Sequence, residues 1–391
     1  MNKKEHNTYG LGRALGNMKQ NIRSYTMIIA LVVIWGILAL LTKGTSLSPR
    51  NLSILFRQTA VTGILALGML LVIVTGNIDM SVGSAMGLLG GIAACCQVWY
   101  EMNLPTTIGV VLVFGLLVGA WNGFWVAYMR VPAFIVGLSG YMVYRGVLIG
   151  ITKSASIAPM TPEFKIIGQG YIPAVFGWIL CGIACVAAVF LVLHGRKNRK
   201  KYNIAVPSTT LTILKLVVIL ALICGFMFIM ADYQGIPIPV LILLCFAVLF
   251  TFLTKKTRFG KCIYAIGCNN EAAQLAGIKT KRIVFVTYLI IGVMCAVAGI
   301  ILTSRLNAGT ANAGEMAEMD AIAACVIGGA SLSGGIGSVP SAIVGALVMA
   351  SLDNGMSLLN TPSFWQYIIK GLILLSAVYV DAVSYTHLRA H

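Results

Sequence analysis

The sequence predicts an all-α protein: a polytopic membrane helical bundle of about ten to twelve transmembrane helices with an inverted repeat. Three observations carry this. Of the 391 residues, 59% are hydrophobic and only 10% charged, against about 45–50% and 25% in ordinary globular domains, so the apolar surface exceeds what one water-soluble core can bury. The apolar residues gather in runs near the roughly 20 residues that a helix needs to cross about 30 Å of hydrocarbon. The Lys and Arg residues, which dominate a net charge of +17, fall between those runs and not along one folded face. That placement points to membrane topology and lipid, with no nucleic acid as partner. A mean hydropathy of +0.92 also excludes a disordered chain.

Twelve runs qualify as spans. The first, Tyr25 to Leu41, lacks a small-residue cleavage site and reads as an anchor and not a removable signal peptide. Next come Thr59 to Thr75, Ser81 to Val98, Thr107 to Met129 and Pro132 to Ile151. Then follow Ile172 to Leu193, Leu211 to Met230, Ile236 to Leu253 and Val284 to Leu302, and last Met316 to Ala330, Gly337 to Gly355 and Phe364 to Val380. The third and tenth are rich in Gly, Ala and Ser and read as partial or re-entrant. With the N-terminus cytoplasmic, 17 of the 28 basic residues fall inside. They are Lys3, Lys4, Arg13, Lys19 and Arg23 of the tail, Arg196 to Lys201 after the sixth span, and Lys255 to Arg282 after the eighth. Six fall outside: Lys43, Arg50, Arg57, Lys153, Lys165 and Arg305. Lys and Arg concentrate in cytoplasmic loops, which sets the orientation. The organisation is thus a cytoplasmic tail over 1–24, a membrane domain over 25–381 with a basic cytoplasmic segment at 254–283, and an atypical ending at 382–391.

Catalytic chemistry is not in evidence. Most of the ten cysteines lie inside apolar runs as small core residues, no CxxC pair occurs, and His6, His194, His387 and His391 are scattered outside the runs, so no metal site is expected. No nucleophile, base and metal set clusters as an enzyme requires, and no cofactor is implied. Pairs such as Gly83 and Gly87, Gly115 and Gly119, Gly119 and Gly123, and Gly146 and Gly150 let helix backbones approach closely in lipid. Charges within spans are costly. Arg145, Lys215 and Lys370 lie well inside, and Asp79, Glu318, Asp320 and Asp353 read as turn or span-end residues. A symporter would carry a mid-span carboxylate, and none is evident. Lys215 is one turn from the cytoplasmic end and snorkels, whereas Arg145 and Lys370 call for structural partners.

Two stretches share an order. Gly63 to Ala94 reads as an apolar span, a polar turn at Gly76 to Asp79 and a small-residue helix. Ala298 to Gly335 repeats it around Arg305, Asn307, Glu315, Glu318 and Asp320, running the opposite way across the membrane. Inverted repeats place substrate pathways at their interface, which makes Asn77, Asp79 and Asn122, facing Asn307 and Asp320, the candidate pathway. Amides there, with Asn312 and Asn354, suit a neutral hydroxyl-rich ligand, since they donate and accept without a desolvated charge. The plainer alternative is that they bond helix to helix.

The segment Lys255 to Arg282 is the most informative. Glu271 to Leu275 reads as a short helix ended by Gly277, a projection through which a partner can transmit force. Glu271, Ala272, Ala273 and Gly277 form the pattern EAAxxxG, preceded by Thr257 to Gly260 and Tyr264 to Gly267. With GNIDMSVG at Gly76 to Gly83 and EMDAIAACVIGGASLSGG at Glu318 to Gly335, they resemble ABC-importer permeases of the ribose/xylose/galactose class over nearly the whole chain. The run SLDNGMSLLN and the residues Phe364 to Tyr367 resemble in particular D-xylose and multiple-monosaccharide permeases. The resemblance implies a type II ABC-importer-like fold in which Ile172 to Leu193 and Leu211 to Met230 are an extra helix pair. It also implies a permease homodimer, an ABC ATPase subunit docked on Glu271 to Gly277, and an extracytoplasmic sugar-binding protein, all at the bacterial inner membrane. Against that family the ending SYTHLRAH is unusual, and nothing functional is placed on it. LSGG at Leu332 to Gly335 matches the start of an ATPase signature, but no GxxxxGK[ST] phosphate cradle exists, so hydrolysis belongs to the partner. The alternative is a self-contained secondary sugar transporter.

Overall fold

The computed structural model describes residues 27, 29–202 and 208–389. The tail 1–24, the start of the first span and His391 lie outside them, as does the His387 side chain. Each of the twelve apolar runs contains a helix. These are α1 (Ile29–Leu41), α2 (Pro49–Val74), α3 (Val82–Val98), α4 (Leu104–Ala127), α5 (Ala133–Thr152), α7 (Ala174–Lys201), α8 (Thr209–Ala231), α9 (Ile238–Lys256), α12 (Thr280–Leu306), α13 (Ala317–Ile327), α14 (Val339–Leu358) and α15 (Ser363–Arg389). Among the described residues, nine helices are long and apolar enough to cross a membrane, with α1 and α3 shorter. The tenth run yields only the 11 residues of α13, about 16 Å of rise, too short to cross alone. Three short helices complete the chain: α6 (Pro162–Gln169), α10 (Arg258–Cys268) and α11 (Asn270–Leu275). Strands β1 (Tyr171–Ile172) and β2 (Ile236–Pro237) pair antiparallel, Tyr171 opposite Pro237.

Capping moves some boundaries away from the hydropathy signal. Ser48 accepts the Asn51 N–H and Pro49 occupies the first turn, so α2 starts ten residues before its apolar run. Arg50 and Arg57, expected in an external loop, are therefore helical. Arg57 lies 4.3 Å from the Tyr171 ring centroid and also donates to the Tyr171 hydroxyl. The basic stretch Arg196 to Lys201 is likewise not a loop. It is the end of α7, where cations suit the negative end of the helix dipole. Because α7 and α9 both start beside the β1–β2 pair, their basic ends lie together at the opposite end of the bundle. The ending after Asp381, expected to fit no span, continues α15 through Arg389.

The core is an inverted repeat of α2–α5 and α12–α15. In one half α3 packs on α4 and α5, and in the other α13 packs on α14 and α15; across them, α12 packs on α3 and α4 while α2 packs on α13 and α14. Direction follows from the ends. Ser53, near the start of α2, bonds Tyr171, and Gln169 beside it bonds the Arg305 carbonyl at the end of α12. The start of one long helix thus meets the end of its counterpart. The small helices α3 and α13 meet start to start, since a Cβ on Gly83 would fall 1.9 Å from Glu318 Oε2, and from there they run to opposite ends of the bundle. Buried Asn51 and Asn354 tie α2 to α14 by two amide bonds, of 2.8 and 3.1 Å.

Glycines set a close crossing between α4 and α12. A Cβ on Gly119 would come 2.4 Å from the Tyr288 carbonyl oxygen, and one on Gly292 would come 2.2 Å from that of Gly115. Since interiors tolerate overpacking poorly, Gly119→Leu is expected to force these backbones apart. Thermal unfolding of the detergent-purified protein should show a large loss of stability, whereas Gly146→Leu, at a glycine with nothing within 4 Å of its Cβ position, should change the midpoint little.

Candidate functional site

The chain breaks between α2 and α3 over residues 75–81. Gly76, at φ +80°, adopts the left-handed conformation that glycine takes at little cost, and Asn77 bonds only locally, donating to Thr75 Oγ1 at 3.0 Å. Asp79 is 1% exposed and fully engaged. Its Oδ1 accepts the Ser81 backbone N–H at 2.9 Å and the Ser81 hydroxyl at 2.7 Å. Asn122 of α4 donates to Asp79 Oδ2 at 3.3 Å and to Ser81 Oγ at 2.8 Å, and accepts the Tyr144 hydroxyl of α5 at 2.7 Å. Four side chains from three elements thus satisfy one another at a depth where an unpaired polar group would cost kilocalories.

The second break, residues 307–316 between α12 and α13, is the counterpart. Asn307 ends α12 at φ +57°, and its Oδ1 accepts the Met160 N–H at 3.0 Å. Arg145 of α5 donates to the Ala311 and Ala313 carbonyls at 2.8 and 2.9 Å, supplying donors to backbone that no helix satisfies. Lys370 of α15 is held between carboxylates, 2.9 Å from Asp320 Oδ2 and 2.9 Å from Asp353 Oδ1. The two seams correspond: Asp79 with partners from α4 and α5, Asp320 with partners from α14 and α15. Glu318 and Asp320 lie in the first turn of α13, at a turn and helix end as expected, whereas Asp353 is inside α14. Of the five candidate pathway residues, the structure brings together Asp79 and Asn122. Asp320 lies across the start-to-start contact, and Asn77 and Asn307 lie toward opposite ends of the bundle. Tyr144 was not legible as their partner, because a tyrosine in an apolar run carries no signal of its own.

Below the first break stands the projecting segment. Asn269 caps α11 by accepting the Ala272 N–H at 2.9 Å. After α11 the Gly277 N–H donates to the Gln274 carbonyl at 2.9 Å, and the Ile278 N–H to that of Ala273 at 3.0 Å. With Gly277 at φ +81°, this is the left-handed stop expected from the sequence. Ala273 is buried, while Glu271 and Ala272 are exposed and Leu275 is 90% exposed. The helix before it, α10, rests on the end of α2 and on the turn between α13 and α14. A Cβ on Gly267 would lie 1.8 Å from the Val74 carbonyl oxygen and 2.4 Å from the Gly335 nitrogen. Tyr264 donates to the Gly337 carbonyl at 2.8 Å, and burial pushes its phenol up, so the donor keeps its proton.

Residues 51–378 match the family described as branched-chain amino acid transport system / permease component. The chain belongs to this family. It is 48% identical over 361 residues to the xylose transport system permease protein XylH of Haemophilus influenzae, covering 92% of this chain and 96% of the relative. To XylH of Escherichia coli K12 it is 49% identical over 364 residues, 93% of each chain. To the ribose import permease protein RbsC of the same organism it is 32% identical over 354 residues, 90% of this chain and 92% of the relative. No solved structure matches. The chain is therefore a multi-pass permease, a transport subunit and not an enzyme.

In this permease the Lys370 ion triad is half-buried to buried, and breaking a buried pair from one side costs about 3–5 kcal/mol because a charge is left uncompensated. Lys370→Met is expected to lower the unfolding midpoint in detergent clearly, and Lys370→Met combined with Asp320→Asn and Asp353→Asn should recover much of the loss.

Proposed function

We propose that this permease is the membrane-spanning subunit of an ATP-driven importer of xylose or a closely similar monosaccharide. Two copies form the pathway, an ABC ATPase docks on α11, and a sugar-binding protein delivers cargo at the other end. The observation that carries the reading is α11 itself. It follows directly on α10, which abuts the end of α2 and the turn between α13 and α14 at Gly267, and it presents a leucine, 90% exposed, left uncovered by the described residues. A fully buried leucine contributes roughly 1.5–3 kcal/mol, so Leu275 fits an apolar pocket on a partner. The names of the relatives supply the cargo. The basic ends of α7 and α9 support, by the positive-inside rule, a cytoplasmic α11 side and N-terminus in a bacterial inner membrane.

Force applied to α11 passes through α10 into the last turn of α2 and the turn at Gly334 and Gly335. Those are the inner ends of the two seams that carry Asn77, Asp79 and Asn122 on one side and Asn307 and Asp320 on the other, and the pathway runs along them. Uptake of labelled xylose into liposomes holding the permease, its ATPase and its binding protein tests the cargo, and failure with every pentose and hexose would refute it.

Docking is tested separately. A side chain at a left-handed stop costs roughly 1–2 kcal/mol, so Gly277→Leu should reorient α11. Together with Leu275→Asp it is expected to abolish co-purification of the ATPase and sugar uptake while membrane insertion persists. Normal co-purification and normal binding-protein-stimulated hydrolysis in both variants would sink the docking role.

A further inference from the structure

A second polar group lies at the exposed edge of the second seam. Glu315, at the lower end of the second break, is exposed and accepts the Tyr367 hydroxyl at 2.7 Å. Tyr367 is itself 45% exposed, and Tyr141 of α5 lies within electrostatic reach of it. One turn along α15 from Tyr367 comes Lys370 with its two carboxylates.

Depth makes the group unusual. Glu315 precedes α13 by two residues, so it lies about 16–20 Å from the end where that helix finishes, and Tyr367 is about 6 Å inside the start of α15. Neighbouring exposed side chains on these helices are apolar: Ile368 and Leu372 on α15, Met142 and Val143 on α5. A charge at the centre of a span costs about 2.5–3.5 kcal/mol on insertion scales, and a carboxylate among apolar side chains nearer a span end still favours a watered or protein-covered face over lipid. The face that carries Glu315 therefore borders water or a second copy of the chain.

The chemistry fits a neutral polyol. Glu315 spends one acceptor site on Tyr367 and retains others for two neighbouring sugar hydroxyls, through the charge-assisted bonds that carboxylates form. The face of Tyr367 offers apolar area to the C–H side of a sugar ring. Lys370 is already neutralised by Asp320 and Asp353 and does not compete for Glu315. We propose that Glu315 and Tyr367 form a monosaccharide-binding station in the outer half of the pathway. This rests on the importer reading above and adds to it the residues that meet the sugar.

The test uses the complete importer in liposomes, with the binding protein saturated by xylose or by a xylose analogue lacking one hydroxyl. Failure of the wild-type complex to carry any pentose or hexose would refute the importer reading and leave the station without a function. Given wild-type uptake, Glu315→Ala is expected to slow xylose roughly ten-fold or more, as loss of a charge-assisted hydrogen bond would. Tyr367→Phe, which removes a single oxygen, should slow it by a smaller factor. Both should shrink the wild-type preference for xylose over an analogue lacking the hydroxyl that Glu315 accepts, a readout that general loosening of the bundle would not move. The unfolding midpoint of Tyr367→Phe should stay near wild type. Wild-type uptake in both variants would overturn the station, and so would equal slowing of xylose and every deoxy analogue.

Discussion

Backbone polar groups cannot be left unpaired in hydrocarbon, and this fold breaks its helices twice where that constraint is most severe. The segments 75–81 and 307–316 lie outside the regular helices and keep only a few end and turn hydrogen bonds of their own. Everything else in the core answers that deficit. Asp79 takes the backbone N–H of Ser81, Arg145 reaches across from α5 to the Ala311 and Ala313 carbonyls, and the Gly335 N–H donates to the Val74 carbonyl at 2.9 Å. The buried charges of this bundle thus have a structural reason that precedes any functional one: they are the donors and acceptors that irregular backbone requires.

A second consequence is the use of glycine. Bringing α3 against the second break requires a surface without side chains. Gly83 and Gly87 provide it, since a Cβ on either would lie within 2.5 Å of the Gly314 or Ala313 carbonyl oxygen. Dispersion rather than water exclusion holds helices together in lipid, so contacts this close are what stabilise the start-to-start junction of α3 and α13. The junction is also where two helix N-termini meet, each with a positive dipole end, and Glu318, 4% exposed, is placed between them.

This explains what could be read from the sequence and what could not. Hydropathy marks where helices exist, and all twelve runs hold one, because apolar length is a direct response to bilayer thickness. It does not mark where they start. Ser48 and Pro49 extend α2 outward through Arg50 and Arg57, and capping chemistry outranks hydropathy there. The short helix α11 and its stop at Gly277 were legible because they depend on local rules alone. The partners of the seam residues were not, since Tyr144 meeting Asn122 and Lys370 meeting Asp320 and Asp353 are long-range consequences of the repeat. The carboxylates Asp79, Glu318 and Asp320 were legible as turn or helix-end residues, and Asp353, inside α14, was not.

The two seams occupy equivalent positions yet differ in chemistry, and the difference bears on motion. Asp79 is enclosed by hydroxyl and amide donors, a short-range network that fixes the geometry of α3, α4 and α5. Asp320 shares one ammonium with Asp353, and an ion contact tolerates changes of angle and distance that hydrogen bonds between hydroxyls and amides do not. Lys370 lies on α15, which packs chiefly on α13, whereas Tyr144 lies on α5, which is tied to both α3 and α4. Physical asymmetry therefore follows from sequence asymmetry: the seam of α13 and α15 is closed by an ion contact, and that of α3 and α5 by a directional network of hydroxyls and amides. Both halves meet α10 at Gly267, which abuts the end of α2 and the turn between α13 and α14.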